Sequence, residues 1–237
     1  MFSPFSCERD RYFVYCTRNM NGLNMIVEQV LAAGDRNLGY LIADCDSRAA
    51  AVIDPSGAPE KFMERIEAQH WHLQYIICTH HHADHVGGAA KLRIRYRAAL
   101  AMHRHSPLPP GLALDDGQKL PLGSRNLHIM HTPGHTADSI CIYAAGVVFT
   151  GDTLFVGKIG GTPTTEQARL EYRSLHAKLM ILPDATIVYP GHDFGVRPSS
   201  TIGEEKQQNP FLLQPDFDHF LALKQGWLTY KAEHGIR

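Results

Sequence analysis

The chain has 237 residues, of which 44% are hydrophobic, so it is long enough to bury one sizeable core. Its formal net charge of -1 argues against a surface built to bind nucleic acid or an anionic membrane. No apolar stretch is long enough to cross a membrane, and residues 1–15 lack the apolar segment of a signal peptide. Composition therefore predicts a cytoplasmic protein without nucleic-acid or membrane partners, and it leaves the oligomeric state open.

The five cysteines have no C-x-x-C spacing, and their odd number does not fit a closed disulfide framework. Cys78 and Cys141 lie in apolar runs, which predicts buried free thiols in a reducing compartment. Residues 1–24 differ in pattern from the rest, and we interpret them as a poorly ordered N-terminal extension. Within it, metal binding or pairing by Cys7 and Cys16 is a second interpretation.

From Met25 the pattern becomes regular, with short apolar runs that predict strands and apolar residues at helical spacing that predict helices. In the first half, strands are predicted at 25–31, 38–43, 50–54, 75–78 and 98–102, and helices at 59–69, 83–90 and 87–95. The second half repeats this layout, with strands predicted at 127–130, 139–144, 147–150 and 186–189, and a helix at 166–180. Pro59 suits the first turn of its helix, in which Phe62 and Ile66 would face inward.

Alternating strands and helices in two similar halves predict an α/β protein, a four-layer αβ/βα sandwich over residues 25–197. Residues 198–237 are more helical and are predicted to pack on this domain as a short C-terminal segment. There, Ser199 or Ser200 would cap a helix at 202–206, and a last helix would cover 216–234.

The strongest functional signal is the H-x-H-x-D-H spacing that begins at His80, directly after an apolar run. In extended chain, residues two apart face the same way, so His80 and His82 can converge on one metal ion. A turn into a helix at Ala83 would carry Asp84 and His85 toward a second ion beside the first.

Three later segments each follow a strand-like run and each add one ligand, and these ligands are His135, Asp152 and His192. Imidazole and carboxylate suit zinc and iron. A closed structural zinc site would favour cysteine, which none of the four segments contains. The seven residues therefore predict a centre for two divalent ions, Zn or Fe.

The motif resembles that of the metallo-β-lactamase-fold hydrolases, across residues 25–193. The strings Thr-Pro-Gly-His-Thr from Thr132, Gly-Asp-Thr-Leu-Phe from Gly151 and Tyr-Pro-Gly-His-Asp from Tyr189 carry the same resemblance. True β-lactamases typically have cysteine at the position of Asp152, so the chain is similar to the glyoxalase II-like and persulfide dioxygenase-like branches. The resemblance implies the metal ligands: His80, His82 and His135 for the first ion, Asp84, His85 and His192 for the second, and Asp152 bridging both.

Two ions roughly 3.5–4 Å apart can share a water and lower its pKa toward neutrality, so a bridging hydroxide could attack a carbonyl. A thiol with a pKa of about 8.5 leaves without strong acid help, which suits a thioester. We therefore predict a hydrolase acting on a thioester such as a hydroxyacylglutathione, with Asp84 and Asp152 as catalytic residues.

Two other reactions fit the same motifs. A persulfide dioxygenase with one ferrous ion would use His80, His135 and Asp152, a set that leaves positions open for oxygen. The string Gly191-His192-Asp193 favours this alternative, whereas residues 204–212 resemble a glyoxalase II segment. Lactone hydrolysis is a third reaction on the same centre. A non-enzymatic metal scaffold is disfavoured because every ligand position is filled.

Substrate-binding and supporting residues are less clearly marked. Glyoxalase II proteins usually hold the glutathione carboxylate with a Gly-Cys-Gly-Arg/Lys-like stretch, which residues 157–162 replace here. Lys158 could supply that cation or be an ordinary surface lysine. Asp54 is predicted to orient a ligand histidine or to form a turn, and Asp193 to support the site similarly. The other histidines near the motifs are predicted to be structural or exposed, and they are His81, His103, His105, His128 and His131. For His131, a supporting role at the metal centre is a second interpretation.

Overall fold

The structure is a computed structural model that describes residues 13–18, 24–34 and 36–235. Its strands form two sheets and a small two-stranded ribbon. The first sheet contains seven strands adjacent in chain order: β1 (Phe13–Arg18), β2 (Asn24–Ala33), β3 (Asn37–Asp44), β4 (Ala49–Ile53), β5 (His72–Ile77), β6 (Ala99–His103) and β7 (Leu112–Leu114). The later strands are β8 (Lys119–Leu122), β9 (Arg125–His131), β10 (Ile140–Ala144), β11 (Val147–Gly151), β12 (Leu154–Phe155), β13 (Lys158–Ile159), β14 (Ile187–Pro190) and β15 (Ser200–Thr201). The second sheet has the order β15-β14-β11-β10-β9-β8, and β12 pairs with β13.

The helices cover the outer faces of the two sheets. They are α1 (Pro59–Ala68), α2 (Ala83–Val86), α3 (Ala89–Tyr96), α4 (Thr165–Ser174), α5 (Ile202–Gln208), α6 (Phe217–Gln225) and α7 (Trp227–His234), and a π-helical turn (Leu175–Leu179) extends α4. Of the helices in the described part of the chain, none is long and apolar enough to cross a membrane.

The central core lies between the sheets, where Tyr40 of β3 packs against Phe149 and Tyr189 with ring centroids 5.0 and 5.3 Å apart. A second core joins the first sheet to α1 and α3, and a third joins the second sheet to the later helices. The order of layers is therefore helix, sheet, sheet, helix. The predicted four-layer sandwich is confirmed.

Helix α1 shows how the sequence pattern produces this packing. Pro59 occupies the first turn, where its missing N–H has no intrahelical partner to lose, and Glu60 suits the positive end of the helix dipole. Phe62 and Ile66, one turn apart, are 0% and 2% exposed. Each buried side chain of this size contributes roughly 1.5–3 kcal/mol, which holds the helix on the sheet.

Several predicted helices are interrupted. The continuous helix predicted over 83–90 is wrong, because α2 ends at Val86 and α3 begins at Ala89. A Cβ on Gly88 would lie 2.7 Å from Ser56 O, so this close backbone contact requires glycine. The single helix predicted over 216–234 is also wrong, since Gly226 separates α6 from α7.

The cap of α5 is Thr201, not Ser199 or Ser200. Its side chain accepts the Glu204 N–H at 3.2 Å, while the Glu204 carboxylate accepts the Thr201 N–H at 2.8 Å. This reciprocal pair is a capping box, and Ser200 instead belongs to the short strand β15.

Short strands were the main omission of the sequence analysis. Strand β1 lies within the predicted N-terminal extension and pairs antiparallel with β2. Cys7 lies outside the described residues, so the interpretations offered for it stay predictions. The predicted domain boundaries also stay predictions. Cys78 and Cys141 are free and 0% exposed, as predicted. Burial raises the pKa of the Cys141 thiol to about 11, which makes it unreactive.

Strand directions bring the motif segments to one edge of the sandwich. Strands β4 and β5 are parallel, so the residues that follow both strands lie side by side. Strands β9, β11 and β14 also run the same way, because β10 is antiparallel to β9 and β11 while β11 is parallel to β14. Hydrogen bonds from Leu38 N to Gly191 O (2.9 Å) and from Ile140 N to Thr79 O (2.9 Å) join the two sheets there.

Candidate metal centre

All seven predicted ligands meet at this shared edge. Three overlapping groups have nitrogen or carboxylate oxygen atoms within 4.8 Å of one another: His80/His82/His135, His80/His85/Asp152 and Asp84/His85/His192. The four loops that carry them follow β5, β9, β11 and β14. Residues as far apart in sequence as His80 and His192 therefore line one small volume.

The first group brings three imidazoles into T-shaped contacts. His82 Nδ1 lies 3.0 Å from His80 Nε2 and 3.1 Å from His135 Nε2. The other ring nitrogen of His135, Nδ1, lies 2.8 Å from Gly161 O. Because a carbonyl only accepts, Nδ1 carries the proton and the lone pair of Nε2 faces the group.

The second side is built around His85, which is 1% exposed. Its Nε2 lies 3.3 Å from His192 Nε2, 3.3 Å from Asp152 Oδ1 and 3.8 Å from Asp84 Oδ2. Asp152 Oδ2 lies 3.3 Å from His192 Nε2 and 3.6 Å from His135 Nε2. Asp152 thus contacts histidines of both sides.

The chemistry of this donor set fits metal ions. Asp152 Oδ1 is buried without a hydrogen-bond partner, so a cation would satisfy an oxygen that the protein leaves unpaired. Burial, together with the neighbouring His85, lowers the pKa of His80 well below its ordinary value, which keeps the neutral, metal-binding form. Burial opposes ionisation of Asp152, but the neighbouring imidazoles of His192 and His85 still hold its pKa well below the usual range. The group is therefore anionic.

Asp54, which follows β4, holds the segment after β5 in place beneath His85. Its Oδ2 lies 2.9 Å from His85 Nδ1 and also accepts the Thr79 hydroxyl at 2.8 Å, while Oδ1 accepts the Thr79 N–H. Since a carboxylate only accepts, His85 Nδ1 carries the proton and directs the lone pair of Nε2 toward the site. Of the two interpretations of Asp54, this arrangement favours orientation of a ligand histidine.

Asp84 is held from the opposite direction by residues that the sequence analysis did not identify. Asn37 Nδ2 donates to the Asp84 carbonyl and to Oδ2, both at 3.1 Å, and the Ser56 hydroxyl also donates to the carbonyl. The backbone of Asn37 also forms an isolated antiparallel β-bridge with the backbone of His192. Asp193 lies beside them, where its N–H donates to Arg36 O at 2.8 Å.

Two motif glycines allow the loops to approach closely. A Cβ on Gly191 would lie 2.8 Å from His85 Cε1, and a Cβ on Gly134, which has φ of +155°, would overlap Glu171. These glycines explain why Pro-Gly-His occurs in both segments: the histidine needs a neighbour without a side chain.

Glu171 and Lys224 form a buried ion pair behind the metal-binding loops, and sequence reasoning missed both. Glu171 on α4 is 0% exposed, and Lys224 on α6 donates to its Oε2 and, at 2.8 Å, to Gly160 O. Burial raises the pKa of Glu171 to about 7, although Lys224 lowers it. The pair joins the C-terminal helices to the loop after Asp152.

A cavity of about 680 Å³ opens over the centre and is lined by Asp84, His135, Asp152 and His192. Aromatic side chains form much of its wall: Phe155, Phe194, Phe211 and Trp227. Lys158 Nζ lies 4.9 Å from the centroid of the Phe194 ring, which itself stacks on His192 at 4.7 Å. Burial and the charges of Lys231 and Arg36 lower the pKa of Lys158. Because three basic side chains lie near one another there, this end of the cavity is cationic.

The remaining histidines lie outside the three groups. His81 Nδ1 lies 2.8 Å from Asp138 Oδ1, and the His128 ring lies 6.2 Å from that of Tyr143. His131 does not contact the seven residues; it stacks on His103 beside His105 in a separate cluster.

Comparison with known proteins agrees with this geometry. The profile of the Metallo-beta-lactamase superfamily matches residues 34–192, which span the four ligand segments. The chain belongs to the metallo-β-lactamase superfamily, as its motifs predicted.

Within the superfamily, the chain is similar to hydroxyacylglutathione hydrolase of Aeromonas hydrophila, with 38% identity over 192 residues, covering 78% of this chain and 69% of that protein. The crystal structure of ETHE1 from Myxococcus xanthus matches with a TM-score of 0.77 and 31% identity, covering 85% of this chain and 90% of that one. The structure of TTHA1623 in a di-iron-bound form matches with a TM-score of 0.64 and 28% identity, covering 77% and 98%. The predicted similarity to the glyoxalase II-like branch is confirmed.

Proposed function

We propose that the protein is a dinuclear metal-dependent hydrolase that cleaves a thioester such as a hydroxyacylglutathione. The observation that carries this proposal is the overlap of the three ligand groups, which share His80 and His85 and so outline two adjacent ion positions. The likeness to a hydroxyacylglutathione hydrolase and to a di-iron-bound structure supports it.

In this proposal the first ion, Zn or Fe, is held by His80, His82 and His135, and the second by Asp84, His85 and His192. Asp152 would serve both, because its two oxygens lie 3.3–3.6 Å from histidines of each side. Two divalent ions held there would lower the pKa of a water toward neutrality and polarise the scissile carbonyl.

The protein supplies orientation to this chemistry. Asp54 and the Gly161 carbonyl fix the tautomers of His85 and His135, so both Nε2 lone pairs face the centre before any ion binds. Asn37 fixes Asp84 at the mouth of the cavity, and Asp193 is proposed to support the loop of His192. The leaving thiolate needs no strong general acid, since its conjugate thiol has a pKa of about 8.5.

The cavity fits a small anionic thiol conjugate. Its volume of about 680 Å³ accommodates a ligand of tripeptide size, and its aromatic wall can bury the apolar part. Lys158, near Arg36 and Lys231, places positive charge where a substrate carboxylate would lie. A glutathione-linked substrate inside a reducing cytoplasm is consistent with this charge and with the buried free thiols.

Lys158→Ala is expected to raise KM for an anionic thioester about tenfold with little change in kcat, because the lysine would bind substrate away from the reacting carbonyl. Steady-state kinetics on lactoylglutathione would measure the effect. Lys91→Ala, which removes an exposed lysine paired with Glu60, is the control. An unchanged KM would show that Lys158 is an ordinary surface lysine.

The likeness to ETHE1 supports a second candidate, a persulfide dioxygenase with one ferrous ion. Its ligands would be His80, His135 and Asp152. His135 Nε2 lies 3.6 Å from Asp152 Oδ2. Lactone hydrolysis would use the same two ions as thioester hydrolysis and is distinguished from it by substrate alone.

Metal content and oxygen uptake separate these candidates. The chain should be purified anaerobically, analysed for metals and assayed with lactoylglutathione, a lactone and glutathione persulfide. About two ions in the centre and thioester hydrolysis without oxygen uptake are expected. About one iron with persulfide-dependent oxygen uptake would replace the hydrolase by the dioxygenase.

A further inference from the structure

A second histidine cluster lies outside the proposed centre. His103 ends β6, His105 follows two residues later, and His131 ends β9. One ring nitrogen of each residue lies within 4.8 Å of those of the other two. The ring centroids are 3.8 Å apart for His103 and His131, 4.7 Å for His103 and His105, and 5.6 Å for His105 and His131.

The hydrogen bonds of His131 fix the nitrogen that it can offer. Its Nε2 lies 2.9 Å from Ala137 O, and because a carbonyl only accepts, Nε2 carries the proton. The lone pair is therefore on Nδ1. Orientation of a histidine by a backbone carbonyl is the arrangement that metal-binding histidines commonly have.

The charges around the cluster also favour a cation. His103 Nδ1 lies 3.3 Å from the backbone N of His105, a weak contact that an ion bound to this nitrogen would replace. Asp138 is 1% exposed and directly follows Ala137, whose carbonyl accepts the His131 N–H. Its Oδ1 pairs with His81, but its Oδ2 is buried without a hydrogen-bond partner. A nearby cation would offset this buried charge.

Access to the cluster is open from one side. His103 is 3% exposed and forms the floor, His131 is half-buried, and His105 is exposed. An ion can therefore reach the three rings from solvent without passing through the cavity of the proposed dinuclear centre.

We propose that His103, His105 and His131 form a separate site for one divalent transition-metal ion, with zinc as the ion expected from three imidazole ligands. None of the three residues belongs to the seven ligands of the proposed centre, so the site does not depend on the proposed hydrolase function. An ion there would join the ends of β6 and β9, two strands in different sheets.

The test compares zinc binding by untagged wild-type protein and by His105→Ala, which removes an exposed ligand and so spares the core. After equilibrium dialysis at low micromolar free zinc, wild type is expected to hold one more ion per chain than His105→Ala. His128→Ala, on β9 but outside the cluster, should match wild type, and His105→Cys, which keeps a zinc ligand, should restore the ion.

The same comparison in an Asp152→Ala background separates this site from the proposed dinuclear centre. His105→Ala should again lose one ion per chain there, whatever happens at the dinuclear centre. Equal zinc content in wild type and His105→Ala would overturn the proposal and leave a stacked histidine cluster without metal. An equal loss in His128→Ala would also overturn it.

Discussion

Asp152→Ala is expected to lose metal and hydrolytic activity together. Asp152 is the residue whose oxygens approach histidines of both sides of the centre, at 3.3 Å from His85 and His192 and 3.6 Å from His135. Without its charge, the first ion would have no anionic ligand, and the second would keep only Asp84, whose side chain is 50% exposed. Loss of an outer-shell partner alone commonly costs roughly 10–100-fold in affinity or activity, so we expect a fall in kcat/KM of at least about 100-fold.

Elemental analysis and thioester hydrolysis of the same samples would measure both effects. Asp184→Ala is the matched control, since Asp184 is an aspartate whose side chain is 70% exposed and pairs with Lys206. Circular dichroism would establish that both variants are folded. Full activity with wild-type metal content in Asp152→Ala would refute a bridging role.

Lys224→Ala is expected to destabilise the protein by about 3 kcal/mol, because it leaves the carboxylate of Glu171 buried without its cation. For a chain of this length, this corresponds to a fall in Tm of roughly 6–12 °C. Thermal and urea unfolding would measure the change. Packing of α6 against α4 should weaken as well, because Lys224 on α6 donates to Glu171 on α4.

The loss of stability in Lys224→Ala should depend on pH. The pKa of Glu171 is raised from 4.5 to about 7 by burial even with Lys224 present, so the folded state holds its proton more tightly than the unfolded state. Stability from this group is therefore greatest at low pH and falls as pH rises through 4.5 to about 7. Lys224→Ala should accordingly be least stable, relative to wild type, above pH 7.

Two further variants complete this test. The double variant Glu171→Gln/Lys224→Met should recover most of the loss, because removing both charges of a buried pair is often nearly neutral. Lys206→Ala, which breaks an exposed pair with Asp184, should cost less than about 1 kcal/mol. If Lys224→Ala is as stable as Lys206→Ala, Glu171 does not carry a buried charge.

Several features of the fold could be predicted because their causes are local. The strands β2 to β6 and β9 to β11 were found within a few residues, since each is an apolar run between turn residues. Helix α1 was found from Pro59 and from the spacing of Phe62 and Ile66. The breaks at Gly88 and Gly226 were missed, because helical periodicity continues across a glycine whose role is set by a distant contact or by a change of helix direction.

The short strands β7, β8, β12, β13 and β15 were missed for a related reason. Each has two to four residues, too few to show alternation, and forms only because a neighbouring strand offers hydrogen bonds. Strand β1 was missed although its six residues are rich in aromatic and β-branched side chains, because residues 1–24 were interpreted as a poorly ordered extension.

The sequence by itself determined the superfamily of this protein and the donor chemistry of its candidate metal centre, because the H-x-H-x-D-H spacing is local and each later candidate ligand directly follows a strand. Only the tertiary structure decided which residues support that chemistry. Asn37 reaches Asp84 across 47 residues, Glu171 reaches Lys224 across 53, and the ring of His103 meets His131. Such contacts depend on how the two sheets face each other, and no short stretch of sequence carries that information.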